Sequence, residues 1–189
     1  MIELPKIILA SASPRRAQIL RTVNWPFETL AVHIDESRRP NEDAVTYVRR
    51  LAREKAETAA GGISGLNVVG ADTTVAINNH ILEKPTDAED AGRMLRLLSG
   101  GWHEVLTGVA VVNGTTSETK VAHQRTEVKF AAMSDDEIET YVATGEPMDK
   151  AGAYAIQGFG ARYIEEIKGD YFNVMGLPLR LLYEFFRPA

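Results

Sequence analysis

Residues 6–20 read KIILASASPRRAQIL, and this stretch sets the beginning of the fold. Its apolar start fits a buried strand, and a helix is predicted to follow because Ser13 can be an N-cap and Pro14 a first helical residue. Arg15 and Arg16 then lie at the positive end of the helix dipole, which costs about 0.3–1 kcal/mol for each cation. Either a polyanion such as phosphate binds there, or both side chains extend into water.

Composition and charge limit the class of protein. The chain has 189 residues, a net charge of −5 and no cysteine. The negative charge argues against a nucleic-acid coat protein and a basic membrane-surface protein, and the lack of cysteine removes disulfides, thiolate catalysis and cysteine-based zinc sites. No apolar run approaches the length of a membrane span, and the N-terminus is a poor signal peptide. We therefore expect a cytoplasmic protein with no membrane partner.

Strand and helix patterns alternate along the chain. The predicted strands cover 6–10, 27–34, 66–77, a return through 80–82 after the Asn78-Asn79 turn, 102–112, 117–132 and 161–167. The predicted helices cover 14–22, 41–60 with Asn41 as its cap, 87–98, 134–144 opened by the capping box of Ser134 and Glu137, and 178–186 after a Gly-Leu-Pro-Leu turn. Helices between the early strands and hairpins in the middle predict an α/β or α+β fold, a single domain over 1–189 with a long curved mixed sheet flanked by helices.

Three further motifs carry residue types that suit nucleotide chemistry. VVGADTTV at 68–75 puts Asp72 near a buried strand, where it could hold Mg²⁺ or take a proton from water, or could be an aspartate that satisfies its own turn. Lys84 precedes Pro85 in a loop and could extend towards phosphate, or could be solvated. Gln157 directly precedes Gly158 and offers a donor and an acceptor to a base edge, or is an exposed loop residue. The patterns of Walker A loops, zinc-binding histidine pairs and nucleophile elbows are absent.

Taken together and in order, the motifs resemble those of the Maf family of nucleoside triphosphate pyrophosphatases. The shared pieces span almost the whole chain: S-x-S-P-R-R, A-R-E-K-A, G-A-D-T-x-V, E-K-P-x-D-A-x-x-A-x-x-M-L-x-x-L-S-G, H-x-V-x-T-G-V, D-K-A-G-A-Y-x-I-Q-G and N-V-x-G-L-P-L. The resemblance implies an elongated two-lobed α/β fold similar to that of the inosine triphosphatase group, with a cleft between the lobes, and a homodimer. It also implies a house-cleaning hydrolase that cleaves a nucleoside triphosphate between the α- and β-phosphates with Mg²⁺ or Mn²⁺.

The resemblance also assigns roles to individual positions. Asp72 matches the catalytic aspartate, and Glu36 matches an acidic position expected to share the metal with it. The residues expected at the triphosphate are Ser11, Arg15, Arg16, Lys55 and Lys84. The trio linked to substrate choice is Arg15, Thr73 and Gln157, and the last two make the chain look like the branch that acts on dTTP and UTP. An amide can pair with a uracil or thymine edge as donor and acceptor, whereas a carboxylate only accepts.

Alternatives to this function come from two other classes. One is a pyrophosphatase with a different preference, such as modified pyrimidines or a methylated purine. The other is a nucleotide-binding regulator of septation or cell division without significant turnover. A DNA-binding regulator is disfavoured, and no direct nucleic-acid partner is expected, because the net charge is negative and no basic recognition helix is present.

Overall fold

The computed structural model describes residues 4–187, which form one mixed β-sheet and its flanking helices. The strands are β1 (Ile7–Ala10), β2 (Phe27–Thr29), β3 (Asn67–Ile77), β4 (His80–Leu82), β5 (Trp102–Val112), β6 (Thr119–Phe130) and β7 (Ile164–Lys168). The α-helices are α1 (Pro14–Thr22), α2 (Ala44–Ala60), α3 (Ala88–Leu98), α4 (Asp135–Ala143), α5 (Tyr171–Met175) and α6 (Leu179–Glu184). Short 3₁₀ helices cover Glu146–Asp149, Ala151–Ala153 and Phe159–Tyr163. No helix in residues 4–187 is both long and apolar enough to cross a bilayer.

The sheet mixes parallel and antiparallel pairs, which confirms the predicted fold class. Its strand order is β2-β1-β3-β5-β6-β7, with β4 paired to β3. β1 runs parallel to both β2 and β3, and its last residue, Ala10, pairs with Gly70. β4 and β7 pair antiparallel with β3 and β6. Because β1 and β3 run in the same direction, the loop that follows β1 lies beside the part of β3 that follows Gly70.

The chain forms two compact units. Unit 1 contains Met1–Asp72, Thr107–Gln124 and Gly176–Ala189, and unit 2 contains Thr73–Leu106 and Arg125–Met175. A core of small and β-branched side chains lies in unit 1: Ile8, Ala10, Ala52, Ala56, Ala59, Val68, Ala110 and Val112. The core of unit 2 is larger and richer in aromatic rings, and includes Met94, Leu95, Leu98, Phe130, Tyr141, Tyr154 and Tyr163.

In unit 1, α2 packs directly on the backbone of the sheet. A Cβ atom built at Gly70 would overlap the carbonyl oxygen of Ala52 and lie 2.7 Å from the amide nitrogen of Ala56. A Cβ atom at Gly108 would likewise overlap the carbonyl oxygen of Val48. The two glycines therefore allow the close approach of α2 to β3 and β5, and this approach fixes the height of α2 above Asp72.

Several predicted local features are confirmed. α1 covers the predicted residues, the Asn78-Asn79 turn joins β3 and β4 with positive φ at both asparagines, and the capping box of Ser134 and Glu137 opens α4. Ser13 lies at the N-cap position of α1, although its side chain caps no backbone group in the part of the chain that the structure describes.

Other predicted boundaries are wrong. The strand predicted over 27–34 ends at Thr29, and Leu30 is already exposed. Asn41 does not cap α2, because it has a positive φ of 61°, and the cap is Asp43, which accepts the Thr46 N–H at 2.7 Å.

Candidate active site

Asp72 lies inside the sheet, on β3, and is almost completely buried. Its Oδ1 accepts a hydrogen bond from Nζ of Lys55 on α2 at 2.7 Å. Lys55 is itself buried, as are its α2 neighbours Ala52, Ala56 and Ala59. Asp72 and Lys55 therefore form a buried ion pair. The alternative considered from the sequence, an aspartate that only satisfies its own turn, does not describe Asp72.

Glu36 is the second carboxylate at Lys55. Its Oε1 lies 2.6 Å from Lys55 Nζ, and its side chain is 52% exposed, whereas that of Asp72 is 12% exposed. The hydroxyl of Tyr47 donates to the backbone carbonyl of Glu36 at 2.9 Å and so ties the loop to α2. The two carboxylates therefore differ in exposure: Asp72 is enclosed, and Glu36 faces solvent.

The surroundings of Asp72 raise the pKa of its carboxyl group and so make the carboxylate more basic. Burial raises the pKa of Asp72, whereas the positive charges of Lys55 and Arg16 lower it, and burial is the larger effect. A carboxyl group with a raised pKa is a stronger proton acceptor than an exposed aspartate, which suits general-base work.

Arg16 is held from two sides. Its Nε donates to the carbonyl oxygen of Gly176 at 2.7 Å, and its Nη1 donates to Oγ of Ser11 at 3.1 Å. Ser11 Oγ also accepts the backbone N–H of Ser13 at 3.1 Å. The Gly-Leu-Pro-Leu segment is thus more than the turn predicted from the sequence, because its first carbonyl positions an arginine 160 residues away along the chain.

Burial lowers the pKa of Arg16, and the nearby negative charges of Asp72 and Glu36 oppose that shift. Arg15 adds positive charge beside it and lowers the pKa of Arg16 further. The cationic start of α1 is therefore balanced by carboxylates across the site. Of the residues predicted at the site, unit 1 brings together Ser11, Arg15, Arg16, Glu36, Lys55 and Asp72.

Unit 2 carries the remaining predicted residues. Thr73 follows Asp72 on β3, Lys84 is exposed in the loop between β4 and α3, and Gln157 is half-buried. The loop of Lys84 is joined to the glycine-rich segment, because the N–H of Gly152 donates to the carbonyl oxygen of Glu83 at 3.1 Å. Lys84 and Gln157 therefore belong to two connected segments of the same unit.

The backbone around Gln157 is held by two side chains that the sequence analysis did not single out. The Tyr141 hydroxyl donates to Oε1 of Glu146 at 2.7 Å and accepts the N–H of Ala155 at 3.2 Å. Glu146 then accepts the N–H groups of Phe159 and Gly160, each at 2.9 Å. We call Tyr141 and Glu146 the anchor pair. The closely spaced glycines 158 and 160 were the available sequence signal, since glycine lets another group approach the backbone closely.

A second buried contact lies just before this segment. His103 Nε2 lies 2.8 Å from the Tyr154 hydroxyl, and both rings pack against Phe130. Burial lowers the pKa of His103 to about 4, so the imidazole is neutral at pH 7. His103 therefore packs as a neutral side chain in the interior of unit 2.

The two carboxylates beside Lys55 fit a divalent cation that binds together with substrate. Within residues 4–187, no three histidine, aspartate or glutamate side chains are grouped so that they could hold a metal ion. Glu36 and Asp72 nevertheless place two carboxylate oxygens around one cationic group, which is Lys55 Nζ. Mg²⁺ is commonly bound by one or two carboxylates together with substrate phosphates and water, so two carboxylates suffice.

A buried carboxylate paired with lysine, together with the arginines at the start of α1, is an arrangement that suits a polyanionic ligand. Comparison with known proteins agrees. A family model described as Maf-like protein matches residues 6–189. The chain belongs to the Maf family.

Similar curated proteins match along nearly their full length. The relative from Koribacter versatilis is 49% identical over 97% of this chain and 94% of its own, and the relative from Moorella thermoacetica is 48% identical over 93% and 91%. A relative from Chromobacterium violaceum is 48% identical over 95% and 94%, and all three are named dTTP/UTP pyrophosphatase. Among solved structures, the Staphylococcus aureus Ham1 protein aligns with a TM-score of 0.49 and 15% identity over 96% of this chain and 97% of that one.

Proposed function

We propose that this protein is a nucleoside triphosphate pyrophosphatase that hydrolyses dTTP and UTP to the monophosphate and pyrophosphate. The observation that carries the proposal is the 45–49% identity, over more than nine-tenths of the chain, to relatives named dTTP/UTP pyrophosphatase. The buried Asp72, with its pKa raised, supports it because this hydrolysis needs a group that takes a proton from water.

The reaction proceeds by attack of water on the α-phosphorus. Asp72 accepts a proton from that water as the new P–O bond forms, and the bond to the α,β-bridging oxygen breaks. Pyrophosphate leaves with the electron pair of that bond. Lys55 holds Asp72 in position at 2.7 Å and keeps part of its charge balanced before substrate arrives.

The cations stabilise the negative charge of the triphosphate. Arg15 and Arg16 act at the start of α1, where backbone N–H groups also favour an anion. Ser11 supports Arg16 by accepting its Nη1 hydrogen bond. Lys84 acts from the loop before α3, where its ammonium group stabilises the negative charge of the leaving pyrophosphate.

Glu36 and Asp72 would hold Mg²⁺ or Mn²⁺, which when bound supplies positive charge next to the phosphate oxygens. Base choice belongs to Arg15, Thr73 and Gln157, with the Gln157 amide pairing to the edge of uracil or thymine. A cleft between two lobes that encloses the nucleotide, a homodimer, a cytoplasmic location and a house-cleaning role stay predictions.

A substrate panel tests the function. The purified chain is incubated with single nucleoside triphosphates and Mg²⁺, and the products are scored for pyrophosphate and orthophosphate separately. We expect pyrophosphate from dTTP and UTP ahead of the purine triphosphates. Orthophosphate as the product would contradict cleavage between the α- and β-phosphates, and tight binding without products would favour a nucleotide-binding regulator.

A further inference from the structure

The backbone on both sides of Gln157 is fixed by the anchor pair and not by the loop itself. The pair accepts three backbone N–H groups: Ala155 before Gln157, and Phe159 and Gly160 after it. The two acceptors are joined by the 2.7 Å hydrogen bond from Tyr141 to Glu146. Gln157 therefore lies in a short segment whose two ends are attached to one rigid group.

The fit between Glu146 and this segment leaves no spare room. A Cβ atom at Gly158 would overlap Oε2 of Glu146, and Gly158 also has a positive φ of 107°. A Cβ atom at Gly160 would lie 2.5 Å from the Tyr141 hydroxyl oxygen and 2.6 Å from the carbonyl oxygen of Ala155. Both glycines are therefore needed so that the anchor pair can approach the backbone closely.

Glu146 is a carboxylate in this arrangement. Its burial works against the charge, but the N–H groups of Gly160 and Phe159 and the Tyr141 hydroxyl together hold the pKa of Glu146 below its ordinary value. Hydrogen bonds to a charged acceptor are about twice as strong as neutral ones, so the segment is attached firmly.

Reading a base with an amide requires such attachment. An amide carries a donor and an acceptor side by side, and by turning over it can pair with cytosine as well as with uracil. Discrimination between the two therefore depends on where the amide is held relative to the base. A displacement of about 1 Å in a positioning group can cost about 100-fold in rate.

We propose that Glu146, together with Tyr141, is a positioning residue for substrate choice, which holds Gln157 where its amide accepts uracil and thymine and rejects cytosine. The inference rests on the proposed function, because it requires Gln157 to read the base. As a positioning residue, Glu146 acts through Gln157 and contacts neither the base nor the phosphates. Its loss should therefore change KM for UTP more than kcat.

The test compares kcat/KM for UTP and CTP in the full chain carrying Glu146→Gln, Gln157→Ala or both. Glutamine keeps the size of the side chain but turns an N–H donor towards a backbone N–H group, so one attachment is lost. We expect each single variant to lower the UTP-to-CTP ratio about tenfold or more, with the loss for Glu146→Gln lying mainly in KM for UTP. The double variant should match Gln157→Ala alone, because both changes act through one amide.

Two further variants separate positioning from stability. Tyr141→Phe removes only the oxygen that links Ala155 to Glu146, and it should also lower the ratio. Glu139→Gln makes the same chemical change at an exposed position of α4 and should leave the ratio unchanged. Thermal unfolding of each variant shows whether it is folded.

The outcomes distinguish the inference from the proposed function. If Gln157→Ala still releases pyrophosphate from UTP but leaves the ratio unchanged, Gln157 does not read the base, and the inference fails while the proposed function stands. If Gln157→Ala lowers the ratio but Glu146→Gln and Tyr141→Phe reduce kcat/KM for UTP and CTP equally, Glu146 has only a structural role and the inference alone is overturned.

Discussion

Asp72 combines two properties that oppose each other in most proteins, burial and a negative charge. Lys55 Nζ at 2.7 Å supplies the counter-charge, and Glu36 adds a second carboxylate on the solvent side. A lone buried carboxylate would take up a proton to avoid the cost of desolvation. Lys55 therefore opposes the rise in the pKa of Asp72 that burial causes, and so favours the carboxylate form that can accept a proton.

Replacing Asp72 by asparagine tests its role as the base. Asparagine keeps the shape and one acceptor for Lys55 but takes no proton from water. We expect kcat for dTTP to fall about 100- to 10,000-fold, with thermal unfolding little changed. Asp136→Asn, an exposed change on α4, serves as the matched control. Near-normal turnover by the Asp72 variant would remove this residue from the role.

Lys55 affects the pH at which Asp72 loses its proton and can act as a base. The ammonium lowers the pKa of Asp72, so its removal raises that pKa further above the ordinary aspartate value. The base works only when deprotonated, and activity is therefore lost as the pH falls through this pKa. In Lys55→Met, we expect the acidic limb of the kcat/KM profile to move to higher pH.

The same measurement on Lys6→Met supplies the control for Lys55. Lys6 forms an exposed 2.6 Å ion pair with Glu28 and is not among the proposed site residues, so its loss should leave the acidic limb in place. An unmoved limb in Lys55→Met would mean that another group sets the profile.

The individual site residues could be predicted from the sequence only through the family pattern. Arg15, Asp72, Lys84 and Gln157 each had a structural explanation that was at least as good when taken alone. The carbonyl of Gly176 was missed because it lies 160 residues from Arg16 along the chain. The carboxylate of Glu146 was missed because glycines 158 and 160 signal a close approach to the backbone without identifying the side chain that makes it.

The site in unit 1 depends on two elements, helix α2 and strand β3. Lys55 projects from α2, Asp72 lies on β3, and Gly70 permits the contact between the two backbones. The same helix carries Arg50, which binds Glu42 through two hydrogen bonds at 2.7 and 2.8 Å and donates to the carbonyl of Ser37. α2 therefore also holds the loop that presents Glu36.

Adding one methyl group at Gly70 should push α2 away from the sheet. The new Cβ would meet backbone atoms of Ala52 and Ala56, which cannot rotate aside. For Gly70→Ala, we expect the free energy of unfolding to fall by about 3 kcal/mol, and kcat to fall as Lys55 moves from Asp72. Denaturant unfolding and steady-state kinetics measure the two effects.

Gly62→Ala is the matched control, since a Cβ atom there meets nothing within 4 Å. Its effect on stability should stay within about 0.5 kcal/mol. Equal stability of the two alanine variants would show that α2 adjusts freely, and would refute the role given to Gly70.

Most strands and helices could be predicted from periodicity and caps, and the exceptions have local causes. β2 is short because its register with β1 ends at Thr29, although the sequence still alternates beyond it and Val32 still packs against the core of unit 1. α5 has only five residues, too few for a helical period, and Asp170 starts it by accepting the N–H of Phe172 at 2.7 Å.

At the level of the whole molecule, a basic site lies within a chain of net charge −5. Overall negative charge disfavours non-specific binding to nucleic acid, while the local cations attract a triphosphate. The site also holds its own counter-charges, because Lys55 and Arg16 already face Asp72 and Glu36. The folded state therefore does not need a bound ion to balance its carboxylates.

This balance predicts separate effects of metal removal on activity and on stability. With EDTA in excess, we expect turnover of dTTP to fall about 100-fold or more, because the cationic contribution at the phosphates is lost. The unfolding midpoint should stay within about 2 °C, since Lys55 continues to neutralise Asp72. Circular dichroism melts with EDTA, and again after Mg²⁺ is added back, measure this; a large drop in the midpoint would indicate a structural metal instead.

The hydrogen bonds of Tyr141 and Glu146 to residues 155–160 go to main-chain N–H groups and leave the side chain at position 157 out of the attachment. The backbone at position 157 is thus held in place independently of the side chain that this position carries. A library randomised at this one codon, with the neighbouring glycines conserved, could redirect the enzyme towards unnatural nucleobases without rebuilding the scaffold.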